Sequence, residues 1–185
     1  MDSIFNSDLM LDLETVGTKP GCGILSIGAC TFNTVYKFYV KIDIGTCYDV
    51  GLKNDSGTLL WWKRQSTEAY IEAFSGTTPL IEALNQFSEF YTACAGKSIW
   101  SNGATFDAPI LAAAYEACGM DIPWSFRDEK CYRTLKGLLP EIVADDFIGI
   151  KHSALADAAH QAKHAAKLLG IIASQQATSA AIVRG

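Results

Sequence analysis

The chain has no G-x-x-x-x-G-K-[ST] segment, which excludes a P-loop nucleotide site. It has no G-x-S-x-G elbow, so the common Ser-nucleophile arrangement of hydrolases is missing as well. Its nearest glycine-rich run, GCGILS at 21–26, lacks the third glycine of a dinucleotide fingerprint and precedes a strand-like segment rather than a helix. No apolar run reaches the length of a membrane-spanning helix. The six cysteines contain no C-x-x-C pair, which speaks against a zinc or disulfide framework; free thiols in a reducing cytoplasm are expected. The segment MDSIFNSDLML has no basic n-region, so no signal peptide is expected and a cytoplasmic location is. Basic residues are also short: 15 Lys and Arg against 20 Asp and Glu give a net charge of −5. That balance argues against broad gripping of duplex nucleic acid, which needs many cationic contacts, but leaves room for a small site that holds a few phosphates through metal ions.

What is present reads as one α/β domain. The 185 residues are 49% hydrophobic and 19% charged, enough for a sizeable core. Residues 8–13, 23–32 and 35–42 read as strands, the last two joined in a hairpin at Asn33-Thr34. A helix is expected from Asp55 or Ser56 through WWKRQS, and another with Thr78 as its cap and Pro79 as its first residue. Short strands at 97–103 and 127–131 alternate with helices at FDAPILAAAYEACG, stopping at Gly119, and at YRTLKGLLP. The last helix is expected from about Ser153 to Leu169 with Gly170 as its stop, so that the domain covers 1–173 and 174–185 form a loosely attached tail. A hairpin followed by alternating helices and strands implies a mixed sheet.

The chemistry lies in the acids. In LMLDLETVGT, Asp12 and Glu14 stand two residues apart on one strand, so they share a face while Leu9, Leu11 and Leu13 share the other. Two carboxylates so close must raise a pKa or recruit a positive partner, and a divalent cation is one such partner. Asp107, in WSNGATFDAP, opens a helix, where the helix dipole alone would favour a carboxylate. A solvated strand end would likewise explain Asp12 and Glu14 taken alone. In KHSALADAAH, His152 precedes the cap candidate Ser153 and Asp157 lies in the helix beyond. Five helical residues turn through about 500°, roughly 140° off one face, so His152 and Asp157 reach a common site only if His152 stays in the loop. His160 and His164, at i and i+4 behind Asp157, are read as a solvated helix face rather than a second metal stripe.

The order Asp-x-Glu, Asp, His-x-x-x-x-Asp resembles the DEDDh 3′–5′ exonucleases of the ribonuclease H-like fold, matching at Asp12, Glu14, Asp107, His152 and Asp157 across about residues 8–170. The phrases LDLET, WWK-QS, W-NGA-FD-PIL, CYRTLK and H-AL-DA--QA are most similar to the phage DexA-type branch, related to ribonuclease AS-like enzymes. The resemblance implies a ribonuclease H-like mixed five-stranded sheet flanked by helices. It implies two Mg²⁺ or Mn²⁺ held by Asp12, Glu14, Asp107 and Asp157, with His152 as general base. The expected activity is 3′–5′ exonucleolytic release of nucleoside 5′-monophosphates from single-stranded ends, in a bacterium or a phage-infected cell. DNA is the expected substrate from the phage-like phrasing, with RNA 3′-tail trimming or an idle nucleic-acid-binding module as alternatives. A ribonuclease H-type endonuclease does not predict a His five residues before the last Asp. Thr15, Asn102, Phe106, Arg133 and Trp62 are the candidate substrate contacts, with Trp61 and Trp62 facing different directions and at least one of them in the core. Relatives of this type are often homodimers, although no exposed seam stands out here.

Overall fold

A computed structural model describes residues 7–184. The first six residues, on which the leader-segment expectation rests, and Gly185 lie outside the described residues. The chain order is β1 (Asp8–Thr15), β2 (Ile24–Thr31), β3 (Lys37–Lys41), α1 (Ile44–Asp49), α2 (Ser56–Trp62), α3 (Thr67–Phe74) and α4 (Leu80–Ala93). It continues with β4 (Ser98–Ser101), α5 (Asp107–Ala117), β5 (Glu129–Cys131), α6 (Tyr132–Leu138) and α7 (Ala154–Arg184). The sheet order is β3-β2-β1-β4-β5. β1 pairs antiparallel with β2 and parallel with β4, so the mixed five-stranded sheet has β1 at its centre.

The alternation in β1 sorts the two halves of the core. Leu9, Leu11 and Leu13 face a layer that includes Leu84 and Phe87 of α4 and Ile110 and Leu111 of α5. Met10 faces the other way, against Ala158, Ala162, Ala165 and Leu168 of α7. Because side chains alternate along a strand, Asp12 and Glu14 continue the Met10 row and emerge under the start of α7. Helix α7 can lie that low because its contact face is largely alanine and because Gly28 of β2, paired directly with Asp12, has no side chain. A Cβ at Gly28 would come within 2.2 Å of the Ala154 carbonyl carbon and the Leu155 nitrogen.

The structure departs from the expected boundaries where local signals met a tertiary alternative. Helix α7 does not stop at Gly170; it runs to Arg184. A glycine inside a helix costs only about 1 kcal/mol. Here the flanking Leu168 is buried and Ile172 packs against the same cluster, which holds the backbone helical through the glycine. The tail expected beyond residue 173 is therefore a helical extension, exposed over 173–179. Helix α4 starts at Leu80 with Pro79 in the capping position, and the Leu80 N–H donates to Thr46 Oγ1 of α1, so the cap comes from another helix rather than from Thr78. The expected WWKRQS helix ends at Trp62, and a separate α3 follows, capped by Ser66, whose Oγ accepts from the Ala69 N–H. Helix α1, six residues under an Asp43 cap, is too short to show a periodicity. The β2–β3 connection spans residues 32–36, wider than a two-residue turn, with Thr34 at φ 57°. All six cysteines are free. Among the described residues no helix is long and apolar enough to cross a membrane.

Gly28→Ala is expected to push the start of α7 off the sheet, because the added carbon meets backbone, which has no rotamer to escape by. Urea denaturation should show a loss of about 1–3 kcal/mol or more, the usual range for overpacking.

Candidate active site

Three elements converge at the C-terminal end of β1. Asp12 and Glu14 come from the strand, and Asp157 comes from the first turn of α7. One ligand oxygen from each lies within 4.8 Å of the others, a spacing that suits a shared cation. Asp107, the first residue of α5, joins the set from a third element: its Oδ1 accepts the Leu13 N–H at 3.0 Å. That bond ties the start of α5 to β1 between the two strand acids. Asp107 is thus bound to the strand backbone and stands beside the three-carboxylate group as a charged neighbour of Asp12 and Glu14.

The electrostatics are those of unpaired like charges. Burial, followed by the neighbouring Asp107, Glu14 and Asp157, raises the Asp12 pKa well above the ordinary carboxylate range; a hydrogen bond from Gln161 opposes the shift. Burial and then Asp157 and Asp107 push Glu14 up to about 8. Burial lifts Asp107 to about 7 against the opposing Leu13 N–H and the Arg133 charge. Asp157 is raised by burial, with His152 and His160 pulling the other way. An oxygen-only donor set with this surplus of negative charge matches a hard divalent ion such as Mg²⁺ or Mn²⁺.

His152 stays in the loop before α7, at φ 62°, and so avoids the 140° separation a continuous helix would impose. Its ring sits edge-on to Trp61 at 4.9 Å between centroids and to Trp62 at 6.2 Å. The two tryptophans differ in exposure, which moves the candidate substrate contact from Trp62 to Trp61. Trp62 is 1% exposed, and its indole N–H donates to the Thr15 carbonyl at 2.8 Å. Trp61 is 41% exposed and is the ring available to a ligand. Both border a cleft of about 470 Å³, beside Glu14, Thr15, Thr18 and Phe106. Thr15 and Phe106 are thus brought to the cleft, although the Thr15 hydroxyl is occupied in donating to the Gly17 carbonyl at 2.6 Å.

Arg133 and Asn102 form a separate group behind Asp107. The guanidinium donates to the Asn102 carbonyl at 2.7 Å and lies across Gly103. The histidines further along α7 are not a solvated face: His164 is buried between the Tyr132 hydroxyl at 2.7 Å and the Ile142 carbonyl at 2.9 Å, while the His160 ring packs on Phe147. Sequence reasoning missed Gln161, which donates to Asp12 Oδ1 at 2.8 Å. Its spacing of four from Asp157 on a helix was the available signal.

Because folding raises these carboxyl pKa values, the metal-free native state binds more protons than the unfolded chain between about pH 4, the unfolded carboxylate range, and the folded values near 7 and 8. Their contribution to stability is complete below the unfolded pKa and is lost as pH rises through the folded one. Melting scans in chelator should therefore show a falling midpoint from pH 5 to pH 8. Asp12→Asn should flatten that fall and raise the midpoint at pH 8, and Mn²⁺ should stabilise the wild type more at pH 8 than at pH 5.

Comparison with known proteins agrees with this geometry. No curated protein matches the sequence. Among solved structures, the fold is similar to that in the "Crystallographic structure of the nuclease domain of 3'hExo, a DEDDh family member, bound to rAMP", with a TM-score of 0.63 at 12% identity. That match covers 92% of this chain and 94% of the other, and it shows a shared ribonuclease H-like fold. Residues 7–169 match the 3′–5′ exoribonuclease Rv2179c-like domain. The chain belongs to that family, and it is a 3′–5′ exonuclease.

Proposed function

We propose that the protein removes nucleoside 5′-monophosphates one at a time from the 3′ ends of single-stranded RNA. The observation that carries this reading is the convergence of Asp12, Glu14 and Asp157, of which Glu14 also lines a cleft walled by aromatic rings. The family description, an exoribonuclease, supports RNA. The phrasing shared with the phage-type enzymes supports single-stranded DNA as the second reading. A net charge of −5 suits a pocket that takes a strand end rather than a groove along a duplex.

In this reading Asp12, Glu14 and Asp157, backed by Asp107, would hold two divalent ions, Mg²⁺ or Mn²⁺. When bound, such ions supply Lewis-acid neutralisation of charge at the scissile phosphate. The other work falls to the chain's own groups. Trp61 and Phe106 offer ring surfaces for the terminal bases, and such stacking is sequence-tolerant because every base has a π-face. His152, held edge-on by the tryptophans, takes a proton from the attacking water at a ring nitrogen. Arg133 tempers the charge on Asp107 and keeps the Asn102–Gly103 turn in place beneath it. Thr15 shapes the cleft floor through its bond to the Gly17 carbonyl.

A gel time-course with 5′-labelled RNA and DNA of one sequence tests the reading. Products should shorten from the 3′ end, only with Mg²⁺ or Mn²⁺ present, and faster on RNA; internal cuts or activity in chelator would overturn it. His152→Ala should lower kcat by about 10²–10⁴-fold, the usual worth of a positioned base, while metal-induced thermal stabilisation persists. Trp61→Ala should weaken substrate binding by about 1–3 kcal/mol. It should also lower kcat, since it removes the ring His152 packs on; Trp61→Phe should recover most of both.

A further inference from the structure

We infer that Gln161 is a positioning residue for the metal site: it fixes the Asp12 carboxylate with a neutral donor, so that the carboxylate is oriented without its charge being neutralised. The inference rests on the reading of Asp12 as a cation ligand. Gln161 follows Asp157 by four residues on α7, so the two side chains project from one face of the helix into the space over β1. Its Nε2 donates to Asp12 Oδ1 at 2.8 Å, and it is 7% exposed. The bond joins the helix that carries one acid to the strand that carries two.

The other end of the amide argues that this is not incidental packing. Gln161 Oε1 is buried and has no hydrogen-bond partner among the described residues. A buried acceptor left unpaired is destabilising, and a thioether or an aliphatic chain would fill the same volume without that cost. The group found here is one whose donor end is used on Asp12 and whose acceptor end is buried without a partner. A lysine at this place would hold Asp12 equally well, but its charge would offset the repulsion among the acids and compete with a cation. An amide orients the ligand and leaves the site's charge for the ion. The spare Oε1 also suits the water that a hard divalent ion keeps around itself.

Mn²⁺ titrations followed by thermal shift, on the full chain, test this with a readout independent of turnover. Gln161→Met keeps the volume and removes the donor. Its apparent Mn²⁺ affinity should fall about 10–100-fold, the usual loss when a ligand's supporting hydrogen bond is removed. In activity assays the Mn²⁺ concentration for half-maximal rate should rise by the same factor, with kcat recovering at saturating metal. Gln161→Lys should show a higher metal-free melting temperature at pH 8 and little or no Mn²⁺-induced shift. Unchanged Mn²⁺ affinity in Gln161→Met would overturn the inference, as would a kcat loss that saturating metal does not restore. If Gln161→Met does not melt cooperatively, Gln161→Asn, whose amide is one methylene too short to reach Asp12, should show the same loss of affinity, and an unchanged affinity there would equally overturn it. Asp12→Asn is the control that separates the two ideas: a full Mn²⁺ shift in that variant would remove Asp12 from the ligand set and the positioning role with it.

Discussion

Four carboxyl groups gathered at the end of one central strand repel one another, and much of this molecule is arranged around that repulsion. Among Asp12, Glu14 and Asp157, which lie within 4.8 Å of one another, each pair of ionised groups costs about 3–4 kcal/mol at the effective dielectric of a partly buried site. A hydrogen bond to a charged group gives back only about 1.5–3 kcal/mol. The Leu13 N–H on Asp107 and the Gln161 amide on Asp12 therefore orient the acids without balancing them. The remaining charge is taken up by protons, which is why the carboxyl pKa values rise, or by a cation. The same imbalance that opposes the metal-free fold would favour a divalent ion at the site.

Holding the acids against their repulsion falls to the apolar layers on both sides of the sheet. β1 is the central strand, with its leucine face sealed under α4 and α5 and its Met10 face under α7. Asp12 and Glu14 cannot swing apart without breaking ladder hydrogen bonds to β2. Asp157 is held just as firmly, because the alanine face of α7 and the bare backbone at Gly28 let the helix settle onto the sheet. The small residues that look least informative in the chain thus set the distance between the strand acids and the helix acid.

Beside the acids, aromatic rings define the cleft and pack against His152. Trp62 is anchored through its indole N–H to the Thr15 carbonyl, next to Glu14, so the aromatic wall and the acidic floor share a backbone segment. Trp61 packs edge-on against Trp62 and against His152, whose backbone is in the left-handed conformation. An apolar wall next to an acidic floor suits a strand end that carries bases on one side and phosphates on the other.

The acids were legible because their geometry is local. Alternation along a strand puts Asp12 and Glu14 on one face whatever surrounds them, and the angular arithmetic of a helix requires His152 to lie outside α7 if it is to share a site with Asp157. The mixed sheet, the helix opening at Asp107 and the resemblance of the five-residue order to DEDDh exonucleases followed from such local patterns. Other features depended on what covers each segment. Gly170 reads as a stop until Leu168 and Ile172 are seen to be packed on either side of it. Trp61 and Trp62 are interchangeable as letters, and only the fold decides which is buried. His164 reads as surface until Tyr132 and Ile142 close around it. Gln161 matters solely because β1 brings Asp12 within reach of its amide. Spacing along the chain determined which groups could share a face; the three-dimensional packing decided which of those faces met, because burial and hydrogen-bond partners are set by residues far away in sequence.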